Sequence, residues 1–568
     1  MRTVDVASEG ALSRSTLAAA GEKTEHRLQG RVRAWTAALV LLCAGSLWLQ
    51  FRHIENSLPY PHHVDEQFVA GPARRMLING RLNPGEFIYP SLPSYLAAIG
   101  IGAGFVRSAG DLEGRDIRLL GSVTYPYYKI PRAMQTARQL FALLAVIGLA
   151  ATGVASWFAF RTPSAIFLSP LVLWTSPLFF DRSWRYLNVD IVSTCFVMLT
   201  LAACLQGTRQ PSIRQCAIIP GLFAGLATGS KYTSALVVAP VLLAILIYVK
   251  AGHRIWACLA ALATMIAAFL IVVPYSLLDI PTFLNGLAFD ARHYAEGHIG
   301  FDGEPGLTQL SFYARHFVSD FGVGAVILAV LGVIAYGAAD WRRAAILVSF
   351  PLGLLWLLAS HRVHFTRNVL NLHPIVAMFL AYGLISVRGW SLALAARRGW
   401  STPSLKRPLS IAMSLLLALV AVPLWHVRDQ LRDHTDSRRL AQAWIEGRFP
   451  PGWTIVVPPQ LAFDTRALED KGSHVTVVDL KSAQDAGGLR QLLSGVQEPA
   501  VIMVPRWGAD PRFEGQTLAN ALNEASRHWR VLKTFGTKPV LVNYSQPTAN
   551  GDPAFAIALL DRGGPPPH

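Results

Sequence analysis

The chain has 568 residues, of which 52% are hydrophobic and only 15% charged, and its mean hydropathy is +0.36. Soluble domains carry about a quarter charged residues, so this composition excludes an ordinary soluble enzyme and points to lipid. Lys and Arg outnumber Asp and Glu by 51 to 35; in a membrane protein that excess belongs to cytoplasmic loops rather than to nucleic-acid binding.

Residues 1–33 are polar, Arg-bearing and aperiodic, and read as a disordered cytoplasmic arm. The apolar run 34–51 suits an anchor better than a cleaved signal, because no A-x-A site follows it. Crossing a hydrocarbon core takes roughly 20 apolar residues, and by that measure the chain holds about eleven spans. They fall at 34–51, 137–160, 164–180, 190–206, 216–230, 233–249, 255–278, 317–337, 344–360, 369–387 and 408–425, of which the fifth is short and Gly-rich (GLFAGLATGS) and is expected to be broken or tilted. A further run, 92–106, is borderline. Charge places it along the surface as an interfacial helix. The loops 161–163, 207–215, 250–254, 338–343 and 388–407 then share one side, with Asp340 as their only acid. The opposite loops hold Asp181, Asp279, Asp290, Glu296, Asp302 and Glu304. The positive-inside rule puts the basic loops and the N-terminus in the cytoplasm, and everything beyond the last span outside. Cys43, Cys195, Cys204, Cys216 and Cys258 all lie in apolar runs, and read as small buried hydrophobes rather than a disulfide framework.

The expected fold class is therefore a polytopic α-helical membrane protein. Its transmembrane part covers 34–425, with extracytoplasmic loops 52–136 and 279–316, and an extracytoplasmic domain follows at 426–568. In that last domain TIVVP, VTVVDL, VIMVP and VLKTF read as strands. DSRRLAQAWIEGRF, LRQLLSGV and TLANALNEASRHW read as helices. The alternation predicts a small α/β layer fold with an accessory role.

Ionisable residues at a membrane edge are costly, which makes them functional candidates. Asp65 and Glu66 in PYPHHVDEQF offer a carboxylate that can act as general base, or a merely solvated pair. Asp190 opens an apolar helix, either as a site residue or as its N-cap. Arg182 and Arg185, on the loop before it, can hold a phosphate or snorkel to headgroups. Lys231 in GLATGSKYTSALVV and Arg362 with Arg367 in SHRVHFTRNVLNLHP pose the same choice. His293, Glu296 and His298, with His62 and His63, can form a divalent-metal site, although their spacing alone does not establish one.

Taken in order, VDEQF, NPGEFIYPSLPSYL, TARQLFALLAVIGL, VDIVSTCFVML, GLATGSKYTSALVV, VPYSLLD with HYAEGHIG, and FTRNVLNLHPIVAMFLAYGL form a recognisable series. The series resembles the GT-C superfamily of polyprenyl-phosphate-dependent glycosyltransferases, in particular glycosyltransferase family 39, over most of residues 34–387. That resemblance implies a donor sugar on a polyprenyl phosphate whose tail lies between helices. It implies inverting, single-displacement transfer to a hydroxyl of a lipid, glycan or protein acceptor outside the membrane. By position, Asp65 matches the first-loop acid assigned as general base, Glu66 completes the pair, and Asp190 matches the acid opening a later helix. Lys231, Arg367, Arg138 and Arg185 are where donor-phosphate contacts are expected. Two departures stand out: Asn368 replaces the aromatic that often follows the Arg, and the polar stretch 107–132 is long. Two rival classes remain, a transporter or flippase of lipid-linked sugars and a non-catalytic assembly subunit. Transporters show internal symmetry and midplane charges, whereas the acids here crowd the outer edge.

Overall fold

Prolines and glycines set where the apolar runs become helices and where they break. A computed structural model describes residues 6–108, 116–121, 128–298, 301–398, 435–483, 486–509, 515–527, 529–541 and 553–560. The chain opens with α1 (Val6–His53), α2 (Gln67–Asn79), α3 (Leu92–Ser108) and the long α4 (Pro131–Phe160). Next come α5 (Ala165–Thr175), α6 (Pro177–Arg182), α7 (Val189–Gly207), α8 (Ile219–Thr228) and α9 (Val238–Tyr248). α10 (Arg254–Val272) and the single turn α11 (Tyr275–Leu278) lead into α12 (Ile280–Glu296). The helical part closes with α13 (Leu307–Phe321), α14 (Val323–Ala339), α15 (Trp341–Ala359) and α16 (His373–Arg397).

Among the described residues, 6 helices are long and apolar enough to cross a membrane, or 7 if the pair α13 and α14 is one span. The chain is a multi-pass membrane protein, yet the expected spans are not all unbroken helices. The run 164–180 splits before Pro177 into α5 and α6, and the run 216–230 spends its first turn as π-helix before the short α8. The run 317–337 is cut at Gly322, whose φ of +87° lets the chain bend by 110° between α13 and α14. The span expected at 408–425 lies outside the described residues. The arm expected to be disordered differs too: α1 is helical from Val6. Its first half lacks proline and is rich in Ala, Leu, Arg and Glu, all strong helix formers.

Two close crossings fix the bundle. α3 lies antiparallel on the N-terminal part of α4, where a Cβ on Gly100 would stand 2.5 Å from Ala137 Cα and one on Gly104 2.7 Å from Ala133 Cα. α14 and α16 touch backbone to backbone. A Cβ on Gly332 would lie 1.9 Å from the Phe379 carbonyl oxygen, and one on Gly383 2.0 Å from that of Leu328.

The C-terminal part is a mixed sheet flanked by helices. Its strands are β1 (Thr454–Val457), β2 (His474–Val477), β3 (Ala500–Pro505), β4 (Trp507–Gly508), β5 (Val531–Phe535), β6 (Val540–Leu541) and β7 (Phe555–Leu559). The main sheet runs β2-β1-β3-β7-β5, with β1 parallel to β2 and β3, and β7 antiparallel to β3 and β5. β1 and β3 are buried at every position, the mark of central strands covered on both faces. All four expected strands are present, and helices Ser437–Arg448, Ala486–Leu493 and Gln516–Ser526 match the three expected.

Gly332→Ala or Gly383→Ala should lower the thermal midpoint of the detergent-solubilised protein, because overpacking of this kind costs about 1–3 kcal/mol. Gly324→Ala on the same α14, where an added Cβ meets nothing within 4 Å, should leave the midpoint in place. Equal midpoints for all three variants would show that the α14–α16 crossing is looser than described.

Candidate functional site

The loop that follows α1 is pinned by a buried ion pair. Arg138, in the first turns of α4, donates from Nε to Glu66 Oε1 at 2.9 Å and from Nη2 to Glu66 Oε2 at 2.8 Å. Its Nη1 donates to Ser57 Oγ at 2.7 Å, and the Leu187 N–H donates to Glu66 Oε1 at 3.1 Å. Both side chains are fully buried. Glu66 was expected at the catalytic centre and Arg138 on the donor phosphate. The geometry gives both another task, since a bidentate pair with no solvent access cannot take a proton from, or lend a charge to, an outside group.

Asp65, the neighbour of Glu66, points the other way. Its Oδ2 stands 3.1 Å from Nε of Arg367, on the turn that leads into α16. The guanidinium of Arg367 also lies 3.9 Å over the Phe365 ring. Beside it, Asn368 Oδ1 accepts from Lys231 Nζ at 3.2 Å and from the Tyr294 hydroxyl at 3.2 Å. Lys231 in turn donates to Asp190 Oδ1 at 2.7 Å. Asp190 sits in the first turn of α7, while the N-cap there is Asn188, whose Oδ1 accepts from the Ile191 N–H. Capping is therefore not what Asp190 does. Four expected residues, Asp65, Arg367, Lys231 and Asp190, thus meet in one linked cluster, with Asn368 as the joint.

A second cluster adjoins the first. Asp181, at the end of α6, accepts from Arg185 at 2.9 Å and lies 3.7 Å from Arg182 Nε. The Arg185 Nη1 also approaches His62 Nε2 at 3.5 Å, and His63 stacks on Tyr186 with ring centroids 4.7 Å apart. His63 Nδ1 accepts the Asp65 N–H at 3.1 Å, so its 3.6 Å approach to the Asp65 carboxylate is not an ion pair. Burial pushes the His63 pKa down to about 4, which keeps the ring neutral at physiological pH.

The expected metal pair takes a different form. His293 and His298 meet edge to face at 5.2 Å, and His298 packs on Phe301 and Phe365. His62 and His63 pack on Tyr186 rather than on them, and among the described residues no third ligand joins the pair. Arg362 pairs with Glu304 at 2.8 Å. Sequence reasoning used Asp181 and Asp290 only as markers of sidedness. The structure puts Asp181 on the arginines and Asp290 near Lys231 and Tyr232.

Fold and cluster together give a multi-pass membrane protein whose helical fold is shared with ArnT, its charged residues gathered where loops meet helix ends. Residues 131–277 match the model of the dolichyl-phosphate-mannose-protein mannosyltransferase family. Among solved structures, ArnT from Cupriavidus metallidurans in the apo state is 15% identical with a TM-score of 0.51, covering 94% of this chain and 100% of that one. The Archaeoglobus fulgidus oligosaccharyltransferase in the apo form is 12% identical with a TM-score of 0.45, covering 90% of this chain and 75% of that one. The ArnT likeness shows the fold, and with the family match it agrees with the resemblance read in the sequence. No curated protein matches the chain by sequence.

Two expectations follow. Glu66→Gln or Arg138→Met leaves one buried charge without its partner, which typically costs about 3–5 kcal/mol. Thermal unfolding should show a large drop for either variant, and an unchanged midpoint would mean the pair is solvated. Asp290 is the second case. Burial raises its pKa to about 6, with Lys231 opposing. A carboxyl whose folded pKa exceeds its unfolded value loses stability as pH rises between the two. Asp290→Asn should therefore gain on the parent in thermal midpoint from about pH 4 to 6 and hold a constant lead above that window. A lead independent of pH would contradict it.

Proposed function

We propose that this protein transfers a sugar from a polyprenyl-phosphate donor to an acceptor hydroxyl, with inversion, on the extracytoplasmic face of the cell (inner) membrane. The observation that carries the reading is the convergence of Asp65, Arg367, Lys231 and Asp190 through Asn368. Cations held against carboxylates in a largely buried setting are prearranged for a phosphate. The match of residues 131–277 to a family named for a dolichyl-phosphate sugar supports the donor class.

In this reading Asp65 and Asp190 hold Arg367 and Lys231 in place until a donor arrives. Its phosphate oxygens then draw the two cations, and Asn368 Nδ2 adds a buried donor without a hydrogen-bond partner among the described residues. Once Arg367 turns to the phosphate, the Asp65 carboxylate is released to take a proton. The acceptor oxygen attacks the anomeric carbon from the face opposite the phosphate, its proton passes to Asp65, and the sugar–phosphate bond breaks. Polyprenyl phosphate leaves as a dianion, which Lys231 and Arg367 stabilise, each such contact contributing several kcal/mol. No acid is needed on the leaving group, so one carboxylate suffices as base. The donor tail lies between helices, and the acceptor is a lipid, glycan or protein hydroxyl.

The test uses purified protein in detergent with a radiolabelled polyprenyl-phosphate sugar and a crude envelope extract as acceptor. Asp65→Asn should slow transfer by about 10²–10⁴-fold and leave donor binding in place. Lys231→Ala and Arg367→Ala should weaken both binding and transfer. Asp65→Asn turning over at the parental rate would remove Asp65 as base. Movement of intact lipid across vesicles without sugar transfer would replace the reading with a transporter.

A further inference from the structure

A second set of ionisable groups, none of them used above, gathers where α13, α16 and the break between α5 and α6 meet. It comprises His316, Asp320 and His373, whose ligand atoms all lie within 4.8 Å of one another. His373 is fully buried, and its Nδ1 stands 3.0 Å from the Val369 carbonyl oxygen. That oxygen can only accept, so Nδ1 carries the proton and the lone pair of a neutral ring sits on Nε2. Nε2 faces Asp320 Oδ2 at 3.3 Å. A lone pair held against a carboxylate in a buried setting repels it, so a cation belongs between them. A second proton on His373 would satisfy that pair alone. It would leave His316 Nε2, also buried and without a hydrogen-bond partner among the described residues, with nothing to bind. A metal ion satisfies all three.

The surroundings fit a metal's requirements. Tetrahedral zinc with bonds of about 2.1 Å sets neighbouring ligands about 3.4 Å apart, and the His373–Asp320 separation of 3.3 Å is that edge. The widest spacing of 4.8 Å exceeds it, so closure needs His316 to swing by on the order of 1 Å. His316 is the one partly exposed member of the three. Asp320 is already oriented, since its Oδ1 accepts the Leu178 N–H at 3.0 Å and its Oδ2 accepts from Ser176 Oγ. His373 donates its other ring proton to a backbone carbonyl, as metal-bound histidines commonly do. Two imidazoles and one carboxylate suit zinc-class ions better than magnesium or calcium, which prefer all-oxygen sets. Three protein ligands also leave a coordination position open. Beside them lies a cavity of about 300 Å³ lined by Leu178, Asp181, Ser319 and Thr366, the last adjoining Arg367.

We propose that His316, Asp320 and His373 bind a divalent zinc-class metal ion, with an open position facing this cavity. The ion would tie α13 to α16 and present a Lewis acid to an oxygen ligand entering beside Arg367. The proposal stands apart from the sugar-transfer reading.

The test is metal binding by the full chain in detergent, stripped with chelator and titrated with Zn²⁺ or Co²⁺. One equivalent should bind, raise the thermal midpoint, and with Co²⁺ give the visible absorption of a tetrahedral site. His316→Ala, which alters the partly exposed ligand, should weaken binding at least about 100-fold and remove the midpoint rise. His316→Cys should restore binding, because thiolate is itself a zinc ligand, and His293→Ala should bind as the parent does. A parent that binds no metal overturns the proposal. So does a His316→Ala variant that binds equally well, or a loss of binding in His293→Ala, which would place the ion at the other histidine pair.

Discussion

The buried pair of Glu66 and Arg138 is the constraint on which the site depends. A carboxylate and a guanidinium without solvent survive there only because each hydrogen-bonding atom is matched, by the other, by Ser57 and by the Leu187 N–H. Such a pair contributes little net stability against an apolar substitute, but removing either half is severe. What it secures is register. Glu66 is fastened to the mouth of α4 and to the chain just before α7, so the adjacent Asp65 must face Arg367. A loop of this length would otherwise sample many conformations, and a catalytic carboxylate loses its effect when misplaced by about 1 Å.

The cluster around Asn368 pairs each cation with a carboxylate, the resting arrangement that the proposed phosphate site calls for. Arg367 and Lys231 each hold a carboxylate, so no uncompensated charge is left in a poorly solvated place. Because the carboxylates lie on different helices, a ligand phosphate can draw the cations together without unfolding anything. Asn368, next to Arg367 in the chain, accepts at its side-chain oxygen from Lys231 on one side and from Tyr294 of α12 on the other. An aromatic at that position, as the family resemblance would favour, offers neither bond.

Much of this was legible in the sequence. Charge asymmetry of the loops grouped Asp65, Asp190, Lys231 and Arg367 at helix ends of one side, and the structure brings these four together. The strands β1 and β3 announced themselves as continuous apolar runs. Other features were hidden for definable reasons. Asp65 and Glu66 are adjacent, and only the fold shows that one is enclosed by Arg138. Asp320 and His373 lie in apolar surroundings 53 positions apart in numbering, with no motif linking them. The broken helices were misread as full spans because hydropathy does not register the backbone break before Pro177 or the bend at Gly322. β7, with only FAIAL ahead of a Gly- and Pro-rich end, offered too short a signal.

The sheet domain bears on the same loop from the opposite side, which argues against a purely appended role. Tyr60 precedes Asp65 by one short turn and is fully buried. Its hydroxyl oxygen accepts the Asp464 N–H at 3.0 Å, and the guanidinium of Arg438 lies 3.7 Å over its ring. Asp436 donates its N–H to the Asn56 carbonyl, and Arg439 donates to that of Glu55. Arg438 is itself held by Asp436 in a bidentate pair at 2.8 Å, so the cation over Tyr60 is fixed rather than mobile. The segment carrying Asp65 is thus gripped twice, by Arg138 of the bundle and by the sheet domain. In the proposed reaction, a carboxylate whose position is set by two independent contacts needs little reorganisation when substrate arrives, and that is where preorganised electrostatics gain their effect.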